Sequence, residues 1–376
     1  MFDQFNLSGL AVLAVVPILG FLIFVHELGH FLAARWMGVR VREFGFGYPP
    51  RMLKLFERNG VEYTLNWLPL GGFVKMVGEQ DDFDGPGSLA AAPPLRRAVV
   101  LAAGSFMNIV TAVVLFAVLL AVVGVPRLTV DPAGLRVQIE AVAPDSPAAA
   151  AGLQVGDVFL TIDGVEVFGP ENVSNAIRAG AGRPVVIVVE RAGQPLTVSV
   201  VPRLPAEIPP GQGAIGVRIA AVIPPDAVTR ERMGVGQALV AGVTYTVRFI
   251  GLMIEGLSGL LRGLIGQQAA MPEGGVGGPV AIARITAEVA RQGWADLIEL
   301  TAILSLNLAV INLLPIPALD GGRLFFVLVE GIRRKRIPPE KEALVHLAGF
   351  ALLLGLMALI TVVDVQNWLA GRPPLP

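Results

Sequence analysis

The chain has 376 residues, of which 54% are hydrophobic and only 16% are charged. It is therefore too apolar and too poor in charge for an ordinary soluble domain, which indicates a membrane protein. Its formal net charge of −1, without a basic tail, gives no reason to expect a nucleic-acid partner. The absence of cysteine excludes disulfides and thiolate chemistry, so any metal ion must be held by His, Asp or Glu.

Four apolar stretches are long enough to cross a bilayer as helices, which takes about 20 residues. They cover residues 7–34, 99–125, 297–319 and 344–363. The first could instead be a signal peptide, but its apolar run is long, lacks a basic segment before it and continues into two histidines. We therefore interpret it as a retained membrane anchor.

Basic residues concentrate after the first and the third of these stretches. Residues 35–97 contain nine Lys and Arg, and residues 331–342 contain five. Because cytoplasmic loops of membrane proteins carry an excess of Lys and Arg, both segments are predicted to lie in the cytoplasm. Residues 126–296 are then predicted to lie outside.

Short β-type runs occur on both sides of the predicted membrane. Residues 61–76, VEYTLNWLPLGGFVKM, predict a β-hairpin on the cytoplasmic side, within residues 60–79. Residues 126–210 alternate β-rich runs with Gly, Pro and Asp-Gly turns. This pattern predicts a soluble β-rich domain outside.

A fifth apolar stretch, residues 236–266, contains charged residues at a regular spacing. Arg248, Glu255 and Arg262 recur every seven residues and fall near one stripe of a helix. This pattern favours a helix lying in the membrane interface over a helix crossing it. A crossing helix would also place the two basic loops on opposite sides of the membrane.

The sequence therefore predicts a polytopic α-helical membrane protein of about four transmembrane helices. An inserted β-rich domain and a cytoplasmic, membrane-associated β-hairpin complete the predicted fold class. The expected divisions are residues 1–125, 126–210, 211–296 and 297–376.

The segment FVHELGHFLA, residues 24–33, places three ionisable side chains at the end of the first apolar stretch. On a helix, His26 and His30 share one face and can bind one zinc ion, with Glu27 beside them as a general base. Zinc lowers the pKa of a bound water from about 15.7 to about 7. The alternative is that the histidines cap the helix end and Glu27 reaches water. Because ionisable residues within membranes usually mark function, we favour the metal site.

A catalytic zinc ion wants a third protein ligand, and Asp320 in NLLPIPALDGGRL, residues 312–324, is the candidate. Pro315 and Pro317 interrupt the helix before it, and broken backbone at membrane depth is tolerated where it lines a cavity or is buried in protein. The alternative is a helix-ending Asp-Gly turn. In the predicted orientation, the first and the third apolar stretch both end on the cytoplasmic side. His26, His30 and Asp320 therefore lie at a similar depth, which favours Asp320 as a metal ligand.

Together these motifs resemble the site-2 protease family of intramembrane zinc metalloproteases, most closely its regulator-of-sigma-E protease branch. HELGH matches the HExxH motif of the family, and NLLPIPALDGG matches NxxPxxxLDG. The resemblance implies that His26, His30 and Asp320 bind Zn²⁺ and that Glu27 is the base. It also implies that Asn312 contacts the substrate backbone or the developing oxyanion, although an amide bonding a neighbouring helix is an alternative.

The resemblance extends to three further segments. SPAAAAGLQVGDVFLTIDGVEV looks like part of a PDZ domain, which makes the predicted outer domain PDZ-like. AGSFMN, residues 103–108, is similar to the family segment AGPxxN but has Ser105 in place of proline, which leaves the role of Asn108 open. The β-hairpin is similar to a membrane-associated β-loop near the active site. Substrate contacts are therefore assigned to the backbone or side chains of Gly71, Gly72, Phe73, Asn108 and Pro315, the alternative being a surface hairpin that binds no substrate.

In the branch that the chain resembles, the substrates are single-span membrane proteins in the bilayer of the bacterial inner (plasma) membrane. They include anti-sigma factors already trimmed outside and, in some cases, leftover signal peptides, and the PDZ domain acts as a filter before the second cut. Two alternatives come from other classes. A non-catalytic scaffold with a structural metal site would not need Glu27, and a transporter would show inverted repeats, which the sequence lacks.

Overall fold

The computed structural model describes residues 14–79, 85–131, 134–209, 212–224, 227–264 and 278–370. Residues 7–13 of the first predicted span, and residues 265 and 266 of the fifth apolar stretch, lie outside these ranges. The chain divides into two compact units. Unit 2 is Gly124–Arg232, and unit 1 combines Met1–Val123 with Met233–Pro376.

Helices make up most of unit 1, and strands make up most of unit 2. The helices, in chain order, are α1 (Val15–Trp36), α2 (Pro94–Val122), α3 (Pro147–Ala150), α4 (Pro170–Ala179), α5 (Val235–Leu264), α6 (Pro279–Gln292), α7 (Trp294–Leu313), α8 (Asp320–Arg333) and α9 (Pro339–Leu369). The strands are β1 (Val41–Arg58), β2 (Val61–Met76), β3 (Val125–Leu128), β4 (Val137–Val142), β5 (Val158–Ile162), β6 (Val165–Glu166), β7 (Val185–Arg191), β8 (Gln194–Val200), β9 (Val217–Ala221) and β10 (Val228–Glu231).

Among the described residues, five helices are long and apolar enough to cross a membrane, namely α1, α2, α5, α7 and α9. Four of them coincide with the predicted spans, so the prediction of a helical membrane protein is confirmed. The third predicted span, residues 297–319, extends further than its helix, because α7 ends at Leu313, before the two prolines.

The fifth apolar stretch forms α5, which packs lengthwise on α2. Gly242 lies so close to α2 that an added Cβ would come 2.7 Å from the carbonyl oxygen of Val113. Two turns further on, the ring of Phe249 stacks on Phe116, with centroids 5.5 Å apart. Helix α5 therefore packs along an apolar helix, and its location in the membrane interface stays a prediction.

Helix α2 is the centre of unit 1. Its buried residues recur every four positions from Val100 through Gly104, Asn108, Ala112 and Phe116 to Leu120. Small residues on this stripe let neighbouring helices approach closely. On the facing helix α1, a Cβ added to Gly29 would lie within 3.0 Å of the carbonyl group of Ala103. The two helices therefore cross almost backbone to backbone.

Strands β1 and β2 form an antiparallel pair joined by the two-residue turn Asn59–Gly60. Both turn residues have positive φ, which is typical of the Asn-Gly hairpin turn. The arms of the predicted hairpin within residues 61–76 do not pair with each other. Residues 43–46 of β1 lie between them and pair with residues 62–65 on one edge and with residues 72–75 on the other.

Unit 2 is a β-rich domain with its own core. Its sheet has the strand order β8-β7-β5-β4-β9, with β6 paired to β5, and so continues beyond residue 210 to include β9. Alternate residues such as Val185, Ile187 and Val189 of β7 are fully buried, and α4 contributes Val173 and Ile177 to the same core. A separate pair, β3 with β10, joins the two ends of the unit.

Candidate active site

His26 and His30 lie one helical turn apart on the buried face of α1, each with an exposed fraction of 5%. Their Nε2 atoms are 3.1 Å apart. The Gly29 crossing described above holds this face of α1 against α2, so both imidazole rings are enclosed by protein. This geometry agrees with the shared face that the four-residue spacing predicts.

Asp320 is the first residue of α8 and follows the irregular loop 314–319. Gly321 and Gly322 allow α8 to fold tightly against this loop, because a Cβ on either would lie within 3.0 Å of loop or α7 backbone atoms. The Oδ2 atom of Asp320 thereby lies 2.9 Å from Nε2 of His26 and 3.2 Å from Nε2 of His30.

The three side chains form a donor set that could hold one metal ion. Their ligand atoms all lie within 4.8 Å of one another. Zinc in a tetrahedral site has bonds of about 2.0–2.1 Å to N and O, which places ligand atoms about 3.3 Å apart. The observed separations of 2.9 to 3.2 Å are close to this value. The donor set therefore fits zinc.

Gly104 of α2 leaves the room that such an ion needs. A Cβ added at this position would lie within 3.0 Å of Nε2 of both His26 and His30. Any larger residue would push against the atoms that would bind the metal. The glycine in AGSFMN is therefore a steric requirement of the site.

Both histidines have partners for their second ring nitrogen. Nδ1 of His30 lies 2.8 Å from the carbonyl oxygen of Val100, so Nδ1–H donates and the lone pair of Nε2 faces the other ligands. Nδ1 of His26 lies 3.2 Å from the side-chain amide of Asn108. The amide oxygen of Asn108 is buried without a partner among the described residues, and a half-turn of the amide lets it accept from His26 Nδ1–H.

Asn108 is itself fixed by α7, because Ser305 donates its hydroxyl to the Asn108 carbonyl oxygen at 2.8 Å. The sequence left the role of Asn108 open, and the structure places its side chain on His26. Ser105, which stands where the family has proline, is fully buried next to Gly104 on α2.

Glu27 is half-buried beside the donor set but does not belong to it. The backbone of Val74 in β2 lies next to its carboxylate. A carboxylate next to a metal site and outside its ligands is positioned to accept a proton from water. The contact also brings the edge of β2 to the site.

Gly71 and Gly72 bring β2 against α1, one turn before His26. A Cβ on Gly71 would lie within 3.0 Å of Ile23, and a Cβ on Gly72 would lie 3.2 Å from the ring of Phe24. Both glycines are buried, whereas Phe73 is half-buried opposite Gly45 of β1. The observed contacts of the two glycines are therefore with α1 and, for Gly72, also with Gly45 of β1.

Asn312 and Pro315 make no hydrogen bond with the three donor residues within the described ranges. Asn312 is half-buried in the last turn of α7, and its amide has no partner there either. Pro315 is exposed in the loop before Asp320. Both residues are thus at least partly exposed to solvent.

Tyr48 of β1 is a site residue that the sequence does not reveal. Its side chain is 41% exposed, and partial desolvation together with the nearby carboxylates of Glu27 and Asp320 raises its pKa above the usual value, so the phenol remains protonated and can donate a hydrogen bond. No motif connects Tyr48 with HELGH, because only the pairing of β1 with β2 brings it close.

Two ion pairs fix α8, which carries Asp320. Arg323 donates to Glu79, just after β2, at 2.7 Å, and Arg97 of α2 donates to Glu330 at 2.6 Å. The Arg97–Glu330 pair is largely shielded from solvent, where charge-assisted hydrogen bonds are stronger than on the surface, whereas the Arg323 side chain is 34% exposed. The first turn of α8 is thereby tied to the hairpin that contacts Glu27.

Two histidines and an aspartate in a helical membrane unit, with a glutamate beside the first histidine, define an intramembrane zinc metalloprotease of the site-2 type. Peptidase family M50 matches residues 14–356, and the chain belongs to this family. The family predicted from the motifs is confirmed, and the scaffold and transporter alternatives are set aside.

Two relatives cover nearly the whole chain. One is a protein of Clostridium perfringens whose name assigns it provisionally to the zinc metalloproteases. It is 36% identical over 344 residues, which are 92% of this chain and 95% of that protein. The chloroplastic membrane metalloprotease ARASP of Arabidopsis thaliana is 36% identical over 374 residues, or 95% of this chain and 79% of that protein.

Among solved structures, the PDZ domain of the SdrC-like protein from Listeria monocytogenes is similar to part of the chain. It covers 25% of this chain and 94% of that chain, with 22% sequence identity and a TM-score of 0.20.

Proposed function

We propose that the enzyme binds Zn²⁺ through His26, His30 and Asp320 and cleaves peptide bonds in the transmembrane segments of single-span membrane proteins. The observation that carries this proposal is the convergence of the three donor atoms next to Glu27 in a unit of apolar helices. A bound zinc ion supplies a Lewis acid and lowers the pKa of water.

The protein residues carry the remaining steps. Glu27 accepts the proton of the attacking water and returns it to the leaving amide nitrogen. Val100 and Asn108 hold the two imidazoles in the orientation that the ligands need. The amide of Asn312, which has no partner within the part of the chain that the structure describes, donates a hydrogen bond to the substrate backbone or to the oxyanion that develops on the attacked carbonyl.

The substrate is expected to bind as an extended strand beside β2. Proteases act on extended backbone, and an exposed strand edge can pair with a peptide. The contact between Val74 and Glu27 supports this location, because it places one edge of β2 beside the proposed base. The path of the substrate would then be lined by Gly71, Gly72, Phe73 and Pro315.

We assign the enzyme to the bacterial inner membrane and its substrates to membrane-anchored anti-sigma factors and leftover signal peptides. The motif resemblance to the sigma-E branch supports this assignment. Co-expression with a panel of tagged single-span proteins, with the native chain beside Glu27→Gln, tests it. A fragment that appears only with the native chain identifies a substrate, whereas a panel without any such fragment contradicts the proposed class.

Labelling of single cysteines tests the proposed topology, in which the basic loops are cytoplasmic and unit 2 is outside. The chain contains no cysteine, so each introduced thiol is unique. Asn175 is exposed on α4 and Lys335 is exposed after α8. In intact cells, an impermeant thiol reagent should label Asn175→Cys, and Lys335→Cys should react only after lysis. The reverse pattern would contradict the topology.

Replacing most of unit 2 tests whether this domain filters substrates by size. Leu128 of β3 pairs directly with Val228 of β10, and the N–H of Thr129 donates to the carbonyl oxygen of Ala227. An Asn-Gly turn in place of residues 130–226 would therefore close a short hairpin. We expect this variant to cleave a long substrate and its pre-trimmed form at about the same rate, because unit 2 no longer excludes the long substrate sterically.

The comparison requires both substrate lengths, both enzymes and equal zinc content. If the shortened enzyme still discriminates between long and pre-trimmed substrates as the native enzyme does, unit 2 is not the filter.

A further inference from the structure

The metal centre uses two of the three histidines of the chain, and the third, His346, lies in the second turn of α9. Its Nδ1 accepts a hydrogen bond from the backbone N–H of Ala318 at 2.8 Å. Because Nδ1 is the acceptor, the ring proton of the neutral imidazole is on Nε2, which lies 3.9 Å from Oε1 of Glu342. The ring also contacts Phe326 of α8, with centroids 5.7 Å apart.

The N–H that His346 accepts belongs to a residue in an unusual conformation. Ala318 has a φ of +80°, in the left-handed region that residues other than glycine rarely adopt. It lies two residues before Asp320, in the loop that connects α7 with α8. A hydrogen bond from outside the loop stabilises a conformation that the local sequence alone disfavours.

A second contact between α9 and the same loop lies one turn further along the helix. A Cβ added to Gly349 would lie within 3.0 Å of Pro317, so α9 packs directly against the loop at this point. His346 and Gly349 are three residues apart and share one face of α9. Two consecutive loop residues, Pro317 and Ala318, are therefore supported by this face.

We propose that His346 is a positioning residue for Asp320. By accepting the Ala318 N–H, it holds the loop in the conformation that directs the Asp320 carboxylate toward His26 and His30. This inference rests on the proposed role of Asp320 as a metal ligand. Without the acceptor, the Ala318 N–H loses its partner and the loop can leave the left-handed conformation, so the carboxylate is present but poorly placed.

Three substitutions in α9 test the inference. His346→Ala removes the acceptor, and His346→Asn keeps one, because the Asn side-chain oxygen can occupy the position of Nδ1. Leu347→Ala is the matched control, since Leu347 is adjacent and 65% exposed. For each variant one would measure zinc retention in the presence of a chelator, kcat and KM on a pre-trimmed substrate, and the thermal unfolding midpoint.

Outer partners of metal ligands typically contribute about 10- to 100-fold to metal affinity or activity. We expect His346→Ala to lose zinc about 10-fold faster and to lower kcat by about 10-fold, with KM changed by less than about 2-fold. His346→Asn and Leu347→Ala should stay close to native. If His346→Ala does not fold, near-native zinc retention by His346→Asn supports the inference, and a loss by this variant contradicts it.

Asp320→Asn separates failure of this inference from failure of the proposed function. If Asp320→Asn retains zinc as the native enzyme does, the proposed ligand set is wrong. If Asp320→Asn loses zinc while His346→Ala retains it with native kcat, only the role of His346 is overturned. Equal losses in His346→Ala and His346→Asn would also overturn it, because the acceptor would not be the cause.

Discussion

The Glu27→Gln enzyme is expected to bind zinc normally and to lose nearly all of its proteolytic activity. Gln has nearly the same size, so the contact between α1 and β2 at Val74 survives. It cannot accept a proton from water. General base catalysis contributes about 10²- to 10⁴-fold, so the residual rate should fall by at least this range.

The measurement compares zinc content and proteolysis of the purified proteins in detergent. Glu255→Gln is the matched control, because Glu255 is exposed on α5, away from the donor set. Cleavage by Glu27→Gln at a rate near that of the control would remove Glu27 from the mechanism. Loss of zinc together with activity would instead make Glu27 a part of metal binding.

The Gly104→Ala enzyme is expected to lose both zinc and activity. The added methyl group would occupy space within 3.0 Å of both Nε2 atoms. The imidazoles cannot rotate away without giving up their contacts with Val100 and Asn108. The helices cannot separate easily either, because α1 and α2 are in backbone contact at Gly29 and Ala103.

Gly251→Ala in α5 is the control for the same substitution. A Cβ at Gly251 meets nothing within 4 Å, so only the helix propensity changes, by about 1 kcal/mol in favour of the folded state. Zinc content, cleavage and the thermal unfolding midpoint would be measured for both variants. Native zinc content in Gly104→Ala would show that the two histidines do not bind metal on the side that faces α2.

The sequence predicts the parts of the site that depend on spacing within one element. HELGH places His26 and His30 on one face of a helix, and the structure brings their Nε2 atoms together. Asp320 required a further argument from membrane orientation, because it is 294 residues from His26. The spans can be predicted from composition, because a helix that crosses the bilayer needs about 20 mainly apolar residues.

The sequence does not predict the contacts that complete the site. Two of these contacts join Val100 to His30 and Asn108 to His26. They depend on how α2 crosses α1, which the spacing of residues within one helix does not predict. Tyr48 comes near the carboxylates of the site only through the pairing of β1 with β2. The left-handed Ala318 is equally hidden, because alanine carries no sign of positive φ.

The distance along the chain between His26 and Asp320 has a consequence for biosynthesis. If both residues bind the metal, the site cannot form until the ribosome has extended the chain by the 294 positions from His26 to Asp320. At about 5–20 residues per second, this takes roughly 15 to 60 seconds. During that time the first helices are already in the membrane beside other newly inserted proteins. With this ligand set the enzyme stays inactive until Asp320 has been made, and the proteins around it are spared until then without a separate inhibitor.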